Sequence, residues 1–131
     1  MVECRGEGSV EASSDMEPRV EVSVERAGGG IVIVALSGEI DKNSSPQVRN
    51  TLVPLFAEKL RAVVVDLSGV SYIDSSGIAT LTEGLQLSHR SGMAFRLSGM
   101  PPEIKRVFEV ARLEGIFEVF DTREAALEGL A

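Results

Sequence analysis

Val63-Val64-Val65-Asp66-Leu67-Ser68-Gly69-Val70-Ser71-Tyr72-Ile73-Asp74-Ser75-Ser76-Gly77-Ile78 runs from an apolar stretch into a cluster of small polar residues. The apolar start, from Ala62 to Leu67, reads as a strand buried on both faces. A short polar turn follows, and Ser75 or Ser76 opens a helix with Ile78, Leu81 and Leu85 on one face. The first turn of a helix has unpaired N–H groups and a positive dipole end. A phosphate on Ser75 would be stabilised there without any basic side chain, while Asp74 beside it would oppose the charge. Phosphorylation adds about −1.5 to −2 charges and three strong acceptors, enough to change a surface without changing a fold. Asp-Ser-Ser-Gly is equally a plain helix cap, and both readings stand on these residues alone.

Outward from this segment, the chain alternates strand and helix patterns. Val20, Val22 and Val24 alternate with Glu21, Ser23 and Glu25, and Ile31 to Leu36 is continuously apolar. With Gly28-Gly29-Gly30 between them, the two read as a hairpin whose second strand is buried on both faces. Ser45-Pro46 reads as a helix start, Ser as cap and Pro at the first helical position, with Val48, Leu52, Leu55 and Phe56 at helical spacing. Ser91-Gly92 ends the second helix and Met93 to Leu97 is a strand. Pro101-Pro102 opens a third helix with Ile104, Val107, Phe108 and Ala111 inward. Phe117 to Phe120 is a short strand, and Asp121 or Thr122 caps a last helix through Leu130. This order predicts an α/β fold, a mixed sheet with crossover helices packed on it. Met93, Phe95, Phe108 and Phe117 fall at core positions.

The 131 residues fit one domain. Residues 1–18 are polar and acidic and read as a disordered tail; the domain takes up 19–131. That start lacks the basic and apolar pattern of a secretory signal. No apolar run approaches the roughly 20 residues that span a bilayer, so no membrane insertion is expected. Cys4 is the single cysteine, which makes neither an internal disulfide nor a zinc site, and a cytoplasmic location fits. The net charge of −7 argues against nucleic acid and suits either solubility or a basic protein partner.

Enzyme readings fail on the residues. A nucleophile elbow needs Gly-x-Ser-x-Gly, and Ile73 stands where the first glycine belongs. His89, the only histidine, would lie about 21 Å from Ser75 along one helix, at roughly 1.5 Å per residue. Gly28-Gly29-Gly30 lacks a Walker lysine and the dinucleotide fingerprint. No metal set or cofactor motif is present; Glu39 and Asp41 read as solvated loop carboxylates. No catalytic residue is assigned.

Taken together, Leu36-Ser37-Gly38-Glu39-Ile40-Asp41 and Val65-Asp66-Leu67-Ser68-Gly69-Val70-Ser71-Tyr72-Ile73-Asp74-Ser75-Ser76-Gly77 resemble the STAS family, named for sulfate transporters and anti-sigma factor antagonists. Met100 to Phe108, Leu113 to Phe117 and Ala125 to Leu127 fit too, so the resemblance covers about Val20 to Leu130. It implies a STAS-like (SpoIIAA-like) mixed sheet of four to five strands flanked by about four helices. It implies binding to an anti-sigma factor that is also a GHKL-type serine kinase, release of the sigma factor, phosphorylation at Ser75 to break the complex, and a serine phosphatase to reset it. Ser76 would cap the helix and contact the partner. Asp41 would lie in a neighbouring loop, Asp74 would shape the turn, and Gly77 and Ile78 would continue the binding face. Gly77 to Gln86 also resembles small STAS subunits of lipid-transport ABC complexes (Mla-type), in which the domain binds the ATPase subunit. That branch is the alternative reading.

Overall fold

In a computed structural model the protein is described over residues 19–113 and 115–130; the expected tail, residues 1–18, lies outside the described residues. The element order is β1 (Val20–Gly28), β2 (Ile31–Ile40), α1 (Ser45–Leu55), β3 (Ala62–Ile73), α2 (Ser75–Ser91), β4 (Ala94–Ser98), α3 (Pro102–Val110), β5 (Glu118–Phe120) and α4 (Arg123–Leu127). The five strands form one sheet in the order β1-β2-β3-β4-β5. β1 and β2 are antiparallel, and every later pair is parallel. This is the mixed α/β sheet the sequence predicts. The hairpin turns at Gly28, Gly29 and Gly30, all with positive φ, which glycine adopts without steric cost.

The helices divide unequally between the two faces. Val48 and Leu52 of α1, Leu81 and Leu85 of α2, and Ile104 and Phe108 of α3 pack on one face against Val32, Val34, Val63, Val65 and Leu97. Phe56, Phe95, Phe108 and Phe117 touch in a chain of tilted and edge contacts with centroids 5.7–6.5 Å apart. Among the described residues the other face carries α4 alone of the helices, with Ala126 of α4 and Leu130 just beyond it over Ile31, Ile33, Ala62 and Val64. Because helices cover both faces of Ala62–Leu67, that strand has no polar alternation. Asp66 is the exception: it is buried, yet its Oδ2 accepts from Arg123 Nη2 at 2.8 Å and its Oδ1 from Ser68 N–H at 3.0 Å.

Several expectations shift in the structure. Ser68 to Ser71 is not a turn but the continuation of β3. Between the pairs Ala35↔Asp66 and Ile40↔Ile73 the partner strands advance five and seven residues, so β3 absorbs two extra residues as bulges. The first helix begins at Ser45 with Ser44 at the cap position, one residue earlier than expected, and Pro46 stands in its first turn. Ala111 is exposed rather than inward, because α3 ends at Val110 and Ala111 is its C-terminal cap. The last helix stops at Leu127, since Glu128 is extended and Gly129 takes φ +80°.

Candidate functional site

The site is built where β2 and β3 end. Ile40 and Ile73 are register partners in adjacent parallel strands, and both are buried. Each strand then delivers an aspartate, Asp41 and Asp74, at the carboxyl end of the sheet. In open α/β sheets this is where loops gather and surfaces for recognition form. The two loops are tied together by the Asp74 N–H, which donates to the Ile40 carbonyl at 3.1 Å.

Asp74 is extended, with φ −113° and ψ −170°, as the chain leaves β3. Its Oδ1 accepts from the Ser76 N–H at 2.9 Å and the Gly77 N–H at 3.2 Å, satisfying two of the unpaired donors of α2. The cap of α2 is therefore Asp74, not Ser76. Three consecutive capping residue types stand here, and the extended backbone at Asp74 decides among them. Ser76 is half-buried, and its carbonyl accepts from Thr80 Oγ1 at 3.0 Å. Ser75 is exposed at the first position of α2, and among the described residues its hydroxyl makes no hydrogen bond. A side chain in that position can be modified without breaking a hydrogen bond among the described residues.

Gly77 is buried against the strand ends: a Cβ there would lie 2.6 Å from Ile73 Cγ1 and 2.7 Å from Ile40 Cγ2. The absence of a side chain lets α2 start hard against both strands, and Ile78 beside it packs on the core.

Asp41 opens the other loop. Its Oδ1 accepts from the N–H groups of Asn43 at 2.9 Å and Ser44 at 3.1 Å. Loss of hydration pushes its carboxyl up, but those two N–H groups, the Ser44 hydroxyl and the Arg19 charge together hold it below the ordinary carboxylate value. Ser44, fully buried, donates through Oγ to the Glu39 carbonyl at 2.7 Å and accepts from the Asp41 N–H at 2.9 Å. The loop is thus braced from inside by a serine the sequence did not single out. Its approach is fixed by Gly38, at φ +98°, where a Cβ would strike the Arg19 carbonyl oxygen.

The structure brings Asp41, Asp74, Ser75, Ser76, Gly77 and Ile78 to one end of the molecule. It also adds a wall that sequence reasoning missed. An open groove of about 430 Å³ runs between the start of α2 and α3, with Ser75 and Ile78 on one side and Arg106, Val107 and Val110 on the other. Val110 is 78% exposed, the most exposed large apolar side chain of the described residues. The signal was present as the helical spacing of Val107 and Ala111, but spacing alone does not separate a core face from an exposed one. His89 is exposed near the far end of α2. Among the described residues no cluster of His, Cys, Asp and Glu is arranged to hold a metal. Among the same residues no helix is long and apolar enough to cross a membrane.

The family model of the STAS domain matches residues 22–126. Among curated proteins, the anti-sigma-B factor antagonist of Bacillus subtilis (strain 168) is 30% identical over 95 residues, spanning 72% of this chain and 86% of that protein. The anti-sigma-B factor antagonist of Staphylococcus aureus (strain NCTC 8325 / PS 47) is 28% identical over 91 residues, spanning 70% of this chain and 84% of that protein. Among solved structures, an anti-sigma factor antagonist from Mycobacterium paratuberculosis superposes with a TM-score of 0.77 at 25% identity, covering 85% of this chain and 93% of that one.

Proposed function

The chain belongs to the STAS domain family, and on that premise we propose that it is an anti-sigma factor antagonist that works by partner switching. It binds an anti-sigma factor that is also a serine kinase, through Asp41, Asp74, Ser76, Gly77 and Ile78, and the sigma factor is released. The kinase then moves the terminal phosphoryl group of ATP to Ser75 Oγ. The new P–O bond replaces the bond to the ADP leaving group, and the hydroxyl proton passes to a base on the kinase. A phosphatase restores the hydroxyl by hydrolysis. The protein itself performs no catalysis in this cycle.

The observation that carries the reading is the exposed Ser75 hydroxyl beside a helix end already capped by Asp74. An acceptor that is not the cap can gain and lose a phosphate while the fold stays constant. In the complex, a phosphate at that place would have to be stripped of water against the partner, a cost that breaks the complex. The curated relatives above are named as antagonists of an anti-sigma factor, which favours this reading over the transporter-subunit one.

Phosphorylation by the cognate kinase, followed by peptide mapping, tests the proposal. Label is expected on the peptide holding Ser75 and lost in Ser75→Ala. Equal labelling of Ser75→Ala would overturn it.

A further inference from the structure

Ser75 has a basic residue facing it across the groove. Ser75 lies on the α2 side and Arg106 on the α3 side, and Arg106 is the sole cation among the described residues that line the groove. Among the described residues no carboxylate lies within ion-pair distance of Arg106, whereas Arg19, Arg26, Arg49 and Arg96 each have one and Arg123 has two. The acidic groups in the lining are Asp74 and Glu103. Asp74 is turned into the helix end, where two N–H groups take up its Oδ1. Glu103 stands on α3 itself, one turn before Arg106, and is exposed.

A guanidinium presents a planar fork that matches a phosphate through two parallel hydrogen bonds. Its long apolar stem can lie along an apolar surface while its head reaches across. The groove walls here are Ile78, Val107 and Val110, so a charge pair formed over them is less screened than one in open water.

We propose that Arg106 receives the phosphate of the modified protein: when Ser75 carries a phosphoryl group, Arg106 closes over the groove onto it and ties the start of α2 to α3. The bridge covers Ile78 and Val107, so modification withdraws apolar surface from the partner as well as adding charge. This inference rests on Ser75 being the acceptor.

The test uses the full chain with phosphoserine installed at position 75 during synthesis, so no kinase is required. The second ionisation of the phosphate is followed by phosphorus NMR across pH. A guanidinium at contact favours the dianion and lowers that pKa. In Arg106→Gln the pKa is expected about half to one unit higher than in the unsubstituted chain. Arg106→Lys recovers part of the shift, because the charge returns without the fork. Circular dichroism confirms that each variant is folded. Identical titration of Arg106→Gln and the unsubstituted chain overturns the proposal. So does a shift that instead follows Lys42→Gln, a substitution of the exposed lysine next to Asp41 in the neighbouring loop. Kinase labelling at a residue other than Ser75 would remove the acceptor reading without altering this titration, so the two failures are distinguishable.

Discussion

Replacing Gly77 and Gly84 by alanine, one at a time, sets two opposed terms against each other on the same helix. Both glycines lie inside α2 and both are buried. Alanine is favoured over glycine in a helix interior by about 1 kcal/mol, and that gain is common to the two sites. The packing term differs. At Gly77 the new methyl would sit 2.6 Å from Ile73 Cγ1 and 2.7 Å from Ile40 Cγ2. These isoleucines are 3% and 1% exposed, so neither can yield into solvent. Overpacking of a closed site costs about 1–3 kcal/mol, and two simultaneous clashes place Gly77 in the upper half of that range. The net expectation for Gly77→Ala is a loss of about 1–2 kcal/mol. At Gly84 the nearest atoms are Phe95 Cζ at 3.1 Å and Cε1 at 3.3 Å, the far edge of a ring that needs to move only a few tenths of an ångström. Gly84→Ala is expected to be neutral or to stabilise by up to about 1 kcal/mol. Urea unfolding followed by circular dichroism measures both. Gly77→Ala as stable as the parent, or less affected than Gly84→Ala, would refute the claim that α2 is seated directly on the ends of β2 and β3.

Three further outcomes follow from the same geometry. Asp74→Ala removes the acceptor for two N–H groups and is expected to cost about 0.5–2 kcal/mol in the same unfolding assay; a neutral result would move the cap elsewhere. Ser75→Ala breaks no hydrogen bond among the described residues and should change stability by less than about 0.5 kcal/mol, so an unfolded variant would contradict a purely surface role. Asp66 should contribute to acid unfolding. Desolvation raises its pKa, but the Ser68 N–H and the Arg123 guanidinium outweigh that and hold it below its ordinary value of 3.8. A carboxyl depressed in the folded state supplies stability that is complete above its unfolded pKa and is lost as pH falls through the folded one. Asp66→Asn is therefore expected to cost about 1–3 kcal/mol at pH 7. The gap to the parent should narrow below pH 3.8, and a gap that widens on acidification would contradict the pairing.

Much of this arrangement is legible in the residues. The run Ala62–Leu67 announces a central strand because nothing in it is polar except Asp66, and the glycine triplet marks the hairpin. The second half of β3 is not legible in the same way. Ser68, Gly69 and Ser71 are turn formers by local chemistry, and only pairing with the end of β2, through two bulges, makes them strand. Local signals also cannot order neighbouring caps: Ser44 with Ser45, and Asp74 with Ser75 and Ser76, are chemically equivalent candidates. The direction in which the preceding strand or loop delivers the backbone settles each case. The α3 wall of the site escaped for another reason. Val107 carries the spacing of a packed face and does pack on the core, yet it also borders an open groove, and the exposed Val110 extends that wall.

The central claim is a binding switch at Ser75, and capture of the partner from the host's own lysate tests it most directly. Three baits are compared: the unsubstituted chain, Ser75→Ala and Ser75→Asp. The account predicts that the first two retain a small GHKL-type serine kinase and that Ser75→Asp does not. Retention of an ABC ATPase with its membrane permease, indifferent to residue 75, would contradict it and assign the protein to lipid transport.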